Sequence, residues 1–142
     1  MTAPRILVVD DEPDTLVYVS ALLEDSGYEV RTAASSAGAL AALQEFAADV
    51  VLIDVLMPGR SGLDLLVTLR KSERWAGLRL VVMTGMDQIL KDDCQSYLGS
   101  HHGVRGPDAV LGKPLDPAAL MSVLTTLTRA HPHPAAPLAI QQ

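Results

Sequence analysis

Short unbroken apolar runs recur along the chain: ILVV at 6–9, VVLI at 50–53, LRLVVM at 78–83 and AVL at 109–111. Continuous rather than alternating apolarity is what a strand buried on both faces requires, so these four runs read as parallel strands covered on both sides. YEVRT at 28–32 is a weaker, edge-like strand.

Between the runs, apolar residues return every three or four positions, the period of a helix with one buried face. Leu16, Val19, Leu22 and Leu23 make the first such stripe, with Pro13 suited to the first turn and Gly27 to the stop. SSAGALAALQEFA opens on Ser35 or Ser36 as N-cap and turns Leu40, Leu43 and Phe46 inward. A third helix follows Ser61 and Gly62, with Leu65, Leu66 and Leu69 as its stripe. In LDPAALMSVLTTL, Asp116 is the N-cap, Pro117 opens the first turn, and Leu120, Val123, Leu124 and Leu127 form the inner face.

Alternating strands and helices predict right-handed crossovers and an α/β, doubly wound, five-stranded parallel sheet with helices on both faces. Such sheets carry their ligand chemistry at the carboxyl ends of the strands. There the first strand ends in Asp10, Asp11 and Glu12, the third in Asp54, the fourth in Thr84 and Gly85, and the last in Lys113 and Pro114. Carboxylates brought close together repel unless a cation sits among them. A hard dication suits oxygen ligands, and Mg²⁺ needs only a few carboxylates plus waters. A metal-bound carboxylate, a hydroxyl and a lysine together make a phosphoryl-transfer site: Lys113 offsets charge, Thr84 hydrogen-bonds an oxygen, and a carboxylate oxygen attacks in line. Neither a Walker loop nor a GxGxxG follows any strand, so the phosphoryl group must arrive on something other than a cradled nucleotide.

Composition narrows the setting. At 142 residues, 49% of them hydrophobic, the chain suits one domain with a proper core. A net charge of −6 argues against nucleic acid as a direct partner. The apolar start MTAPRILVVDDEPD runs directly into acids, unlike a signal peptide, and the most apolar longer stretch, 39–57, holds Gln44, Glu45, Asp49 and Asp54, so no membrane span is expected. The single cysteine, Cys94, reads as a small buried hydrophobe and fits a reducing, cytoplasmic setting. Neither His101 and His102 nor His131 and His133 stand in a ligand spacing with acids or cysteines, and Met57 and Met83 read as packing residues.

Four segments, LVVDDE at 7–12, LIDVLMPGRSG at 52–62, VVMTG at 81–85 and LGKP at 111–114, closely resemble the receiver domains of two-component response regulators. The resemblance runs from residue 5 to about 129. It implies a flavodoxin-like sheet of strand order 2-1-3-4-5 and transfer of a phosphoryl group from a histidine kinase or phosphotransfer protein onto Asp54. It also implies Mg²⁺, with Mn²⁺ as substitute, held by Asp11, Asp54 and the Leu56 backbone carbonyl, with Asp10 acting through water. Thr84 and Lys113 would grip the phosphoryl oxygens, and the Lys113–Pro114 bond would be cis. By the same likeness the protein is not a turnover enzyme, residues 1–130 form the receiver, and 131–142 form a Pro-rich mobile tail with no output domain behind it. A homodimer through the last helix is compatible with this reading.

Three departures from the family bear on mechanism. Val110 occupies the position, three before the lysine, where receivers usually carry an aromatic that reports phosphorylation. The stretch from Thr84 to Lys113 is longer than usual, with SYLGSHHGVRGPDA as the excess, and is expected to be a loop that displaces or shortens the helix between the last two strands. Leu56 and Met86 are apolar where polar residues could position an attacking water, which implies a long-lived phosphoaspartate.

Two other functions compete. A haloacid-dehalogenase-like phosphatase also uses an aspartyl nucleophile, but needs a second acid two residues later, where this chain has Leu56. A pseudo-receiver would keep the fold as a constitutive interaction module. The complete set of Asp10, Asp11, Asp54, Thr84 and Lys113 argues against it.

Overall fold

The computed structural model describes residues 3–55, 62–85 and 104–130, with the side chains of 129 and 130 left out. The Leu56 carbonyl, Met57, Met86, Cys94, the four histidines and the tail at 131–142 lie outside these residues, as does the whole 86–103 stretch, on which the expected loop in place of a helix falls.

Five strands, β1 (Arg5–Val9), β2 (Glu29–Ala33), β3 (Val50–Asp54), β4 (Arg79–Thr84) and β5 (Ala109–Gly112), form one sheet in the order β2-β1-β3-β4-β5. Every pairing is parallel. The helices are α1 (Pro13–Asp25), α2 (Ser36–Glu45), α3 (Gly62–Lys71) and α4 (Pro117–Ala130). The sheet therefore follows the expected doubly wound path.

Its two faces support two apolar cores. Leu7, Val9, Val51, Ile53, Leu80 and Val82 pack with α2 and α3 through Leu43, Leu65, Leu66 and Leu69. The alternate residues Ile6, Val8, Val50, Leu52, Val81 and Met83 pack with α1 and α4 through Val19, Leu23, Leu120 and Leu124. Two-sided burial explains why β1, β3 and β4 are continuous apolar runs: successive side chains point to opposite faces, and both are covered. Edge strand β2 is largely exposed, matching its weaker pattern.

Local detail refines several expectations. Ser35 is the α2 N-cap, its hydroxyl accepting the Gly38 N–H at 3.0 Å, whereas Ser36 is buried in the first turn. Ala39 is fully buried in the core beside Leu43, whereas Leu40 is only partly buried and packs against the core's margin. The Asp116 carboxylate accepts the Ala119 N–H at 3.2 Å, as its N-cap role requires. Gly27 follows α1 with φ of 94°, a left-handed conformation that glycine adopts without steric cost.

At the amino ends of β4 and β5 the structure holds a feature that the hydrophobic pattern conceals. Arg70, near the end of α3, is buried and donates to the carbonyls of Ala76, Leu78, Arg105 and Gly106 and to the Asp108 carboxylate. Burial pushes the Arg70 guanidinium down from its ordinary pKa, and the nearby charge of Arg105 adds to this. The helical spacing held a clue: Arg70 stands four residues after Leu66, on the same buried stripe.

Candidate functional site

The carboxyl ends of β1, β3, β4 and β5 lie on one edge of the sheet, and each delivers a polar group there. Asp10 directly follows β1 and is fully buried, and its backbone N–H continues the ladder to the Ala33 carbonyl at 3.1 Å. Its two side-chain oxygens have separate partners: Oδ1 accepts the Glu12 N–H at 3.0 Å, and Oδ2 accepts from Lys113 Nζ at 2.8 Å. Asp54 is the last residue of β3 and is 5% exposed, so its carboxylate stands at the tip of a fully buried strand. Asp11 is half-buried beside them. Carboxylate oxygens of Asp10, Asp11 and Asp54 all lie within 4.8 Å of one another.

Lys113 is the counter-charge. Its ammonium is 2.8 Å from Asp10 Oδ2, 3.4 Å from Asp54 Oδ1 and 3.7 Å from the exposed Glu12. Burial pulls the lysine pKa down, but the Asp10 hydrogen bond and the charges of Asp10 and Asp54 outweigh that pull and raise it above the ordinary value. The lysine is placed by backbone: its N–H donates to the Thr84 carbonyl at 2.7 Å, and the bond to Pro114 is cis. Thr84, which ends β4, is 2% exposed. A Cβ added to Gly85 would meet none of the described atoms within 4 Å.

Gly62 brings the start of α3 against the end of β3. Its N–H donates to the Val55 carbonyl at 2.8 Å, and a Cβ there would overlap the Asp54 carbonyl oxygen and come within 2.7 Å of Ile53 Cγ2. No side chain fits between the helix and the strand that carries Asp54.

The fold thus brings together Asp10, Asp11, Asp54, Thr84 and Lys113, which the strand-end reading picked out. Three acids, two of them buried, face a single lysine across the described part of the edge. That donor set, hard oxygens with excess negative charge, fits a divalent cation such as Mg²⁺. Val110 is half-buried on β5 opposite Val82.

Comparison with known proteins agrees with this fold. The family model described as response regulator receiver domain matches residues 6–125. Protein PilH of Pseudomonas aeruginosa is 29% identical over 123 residues, covering 87% of this chain and 96% of PilH. The DNA-binding dual master transcriptional regulator RpaA of Synechocystis sp. is 30% identical over 126 residues, covering 89% of this chain and 49% of RpaA. A CheY-like receiver domain structure from Methanospirillum hungatei superposes with a TM-score of 0.75 at 28% identity, covering 90% of this chain and 96% of that one. The chain spans about half the length of several curated regulators that it matches. Among the described residues, no helix is long and apolar enough to cross a membrane.

Proposed function

Because the chain belongs to the response regulator receiver domain family, a signalling rather than a turnover-enzyme family, we propose that it accepts a phosphoryl group onto Asp54. The donor is a phosphohistidine on a sensor kinase or a phosphotransfer protein. A carboxylate oxygen of Asp54 attacks phosphorus, the P–N bond breaks, and the imidazole leaves with its electron pair and takes up a proton. The reading is carried by one observation: the Lys113 ammonium sits 3.4 Å from Asp54 Oδ1 at the edge where three acids converge.

Asp11, Asp54 and the Leu56 carbonyl are the proposed metal ligands. Both oxygens of Asp10 are already engaged, which favours contact through water. Bound Mg²⁺, or Mn²⁺ in its place, supplies charge neutralisation for the phosphoryl oxygens. Lys113 balances the remaining negative charge, and the Thr84 hydroxyl holds one phosphoryl oxygen. The family match ends at residue 125, which fits a receiver over 1–130 with a tail at 131–142. A cytoplasmic location accords with a kinase partner, and a net charge of −6 supports a receiver that does not itself contact nucleic acid. DNA binding is named for RpaA, twice as long as the aligned region.

Incubation with a small acyl-phosphate donor and Mg²⁺, followed by intact-mass spectrometry, tests the proposal. One added phosphoryl mass on the wild type and none on Asp54→Asn is the expected result. No addition on either protein would leave a phosphorylation-independent interaction module as the better reading.

A further inference from the structure

Lys113 reaches the acidic cluster from β5, the shortest strand of the sheet. It is one of the two edge strands, four residues long, with Leu111 its one buried residue. Four parallel register pairs set it against β4, and hydrogen bonds at its two ends extend that pairing. At the carboxyl end, the Lys113 N–H donates to the Thr84 carbonyl. At the amino end, Asp108 is pinned twice to β4: its N–H donates to the Leu80 carbonyl at 2.7 Å, and its Oδ2 accepts the Leu80 N–H at 2.8 Å. That same Oδ2 accepts from Arg70 Nη2 at 3.1 Å.

Arg70 uses all its N–H groups in this region. Four of its hydrogen bonds go to the carbonyls of Ala76, Leu78, Arg105 and Gly106, so one guanidinium ties the segment that enters β4 to the segment that enters β5. A planar, always-charged fork can hold several carbonyls and a carboxylate in one fixed arrangement, which a lysine cannot. The four-residue strand beyond it spans about 13 Å, and Lys113 follows directly.

We infer that Arg70, acting through Asp108, is a positioning residue for phosphoryl transfer at Asp54: it fixes the height of β5 and so the point that the Lys113 ammonium reaches. This rests on the reading of Lys113 as the group that balances phosphoryl charge. Arg70 touches none of the reacting atoms; its effect travels along one short strand. Displacing a catalytic group by about 1 Å costs up to a hundredfold in rate, so a loosened β5 has a measurable consequence.

The test is a double-mutant cycle on the rate of Asp54 phosphorylation by an acyl-phosphate donor in saturating Mg²⁺. Wild type, Arg70→Met, Lys113→Ala and the double variant are compared at a temperature where circular dichroism shows each to be folded. Arg70→Met is expected to slow phosphorylation about tenfold, and the double variant to be no slower than Lys113→Ala alone. Calorimetric Mg²⁺ affinity should shift in Arg70→Met in the same direction as in Lys113→Ala, which general loosening of the fold would not produce. Should Arg70→Met fail to fold, Asp108→Asn carries the same comparison, because it keeps Arg70 and its four carbonyl partners. Unchanged phosphorylation in the Arg70 or Asp108 variant, or rate effects that multiply in the double variant, would overturn the inference. If Lys113→Ala itself phosphorylates at the wild-type rate, the underlying reading of Lys113 is what has failed.

Discussion

The ammonium of Lys113 lies 2.8 Å from the carboxylate of Asp10, a fully buried acid 103 residues away in sequence. The pair closes the sheet edge at the site: β5 supplies the cation, β1 the anion, and Asp54 stands 3.4 Å from the same nitrogen.

Removing the lysine leaves Asp10 buried without its nearest cation. Lys113→Ala should therefore destabilise the metal-free protein by about 2 kcal/mol, less than a fully buried pair would cost because the lysine is partly exposed. Urea unfolding measures this, and added Mg²⁺ should recover part of the loss.

Because folding raises the Lys113 pKa, the folded state holds that proton more tightly than the unfolded chain. Its contribution to stability is complete below the unfolded value of about 10.5 and is lost as pH rises through the folded one. The stability gap between wild type and Lys113→Ala should be flat across the neutral range and shrink only above that value. A gap that closed between neutral pH and about pH 9 would contradict the arrangement.

Mg²⁺ should stabilise the fold by mass action, since like charges at Asp10, Asp11 and Asp54 are held together only in the folded chain. At a hundredfold excess over Kd the gain is about 2.7 kcal/mol. Thermal melts with Mg²⁺ and with a chelator should differ by several degrees, and the difference should fall sharply in Asp11→Asn.

Gly62→Ala would drive a methyl group into the Asp54 carbonyl and the Ile53 side chain. A loss of about 3 kcal/mol is expected, at the upper end for overpacking, because one of the obstructing groups is backbone. Slower phosphorylation should accompany it, as β3 and α3 must separate where Asp54 is mounted.

Adjacent serines should behave oppositely. Ser35→Ala removes the α2 cap and should cost about 1 kcal/mol. Ser36 Oγ is buried and, among the described residues, has no hydrogen-bond partner, so Ser36→Ala should be neutral or stabilising. Equal losses at both positions in chemical denaturation would contradict this assignment.

Most of the architecture was legible along the chain because the two signals involved are local. Continuous apolar runs and three-to-four-residue stripes depend only on near neighbours, and they marked β1, β3, β4, β5 and the four described helices, with the edge strand β2 showing only a weaker pattern. The strand-end rule then gathered Asp10, Asp11, Asp54, Thr84 and Lys113 before any distance was known. The choice between Ser35 and Ser36 was less legible, and Ala39, fully buried, was missing from the stripe of Leu40, Leu43 and Phe46. It turns on a rotation of α2 of one position, which periodicity resolves poorly when small residues fill the stripe.

By itself, the sequence determined the element order, the residues presented at the carboxyl edge and the family to which the chain belongs. Only the tertiary structure decided that Lys113 lies closest to Asp10 rather than to Asp54, and that Arg70 is buried as the tie between α3 and the start of β5. The physical reason is that partner choice depends on contacts through space between segments far apart in the chain. A pattern of apolar positions shows which face of an element is buried, but not which charge crosses from another element to meet it.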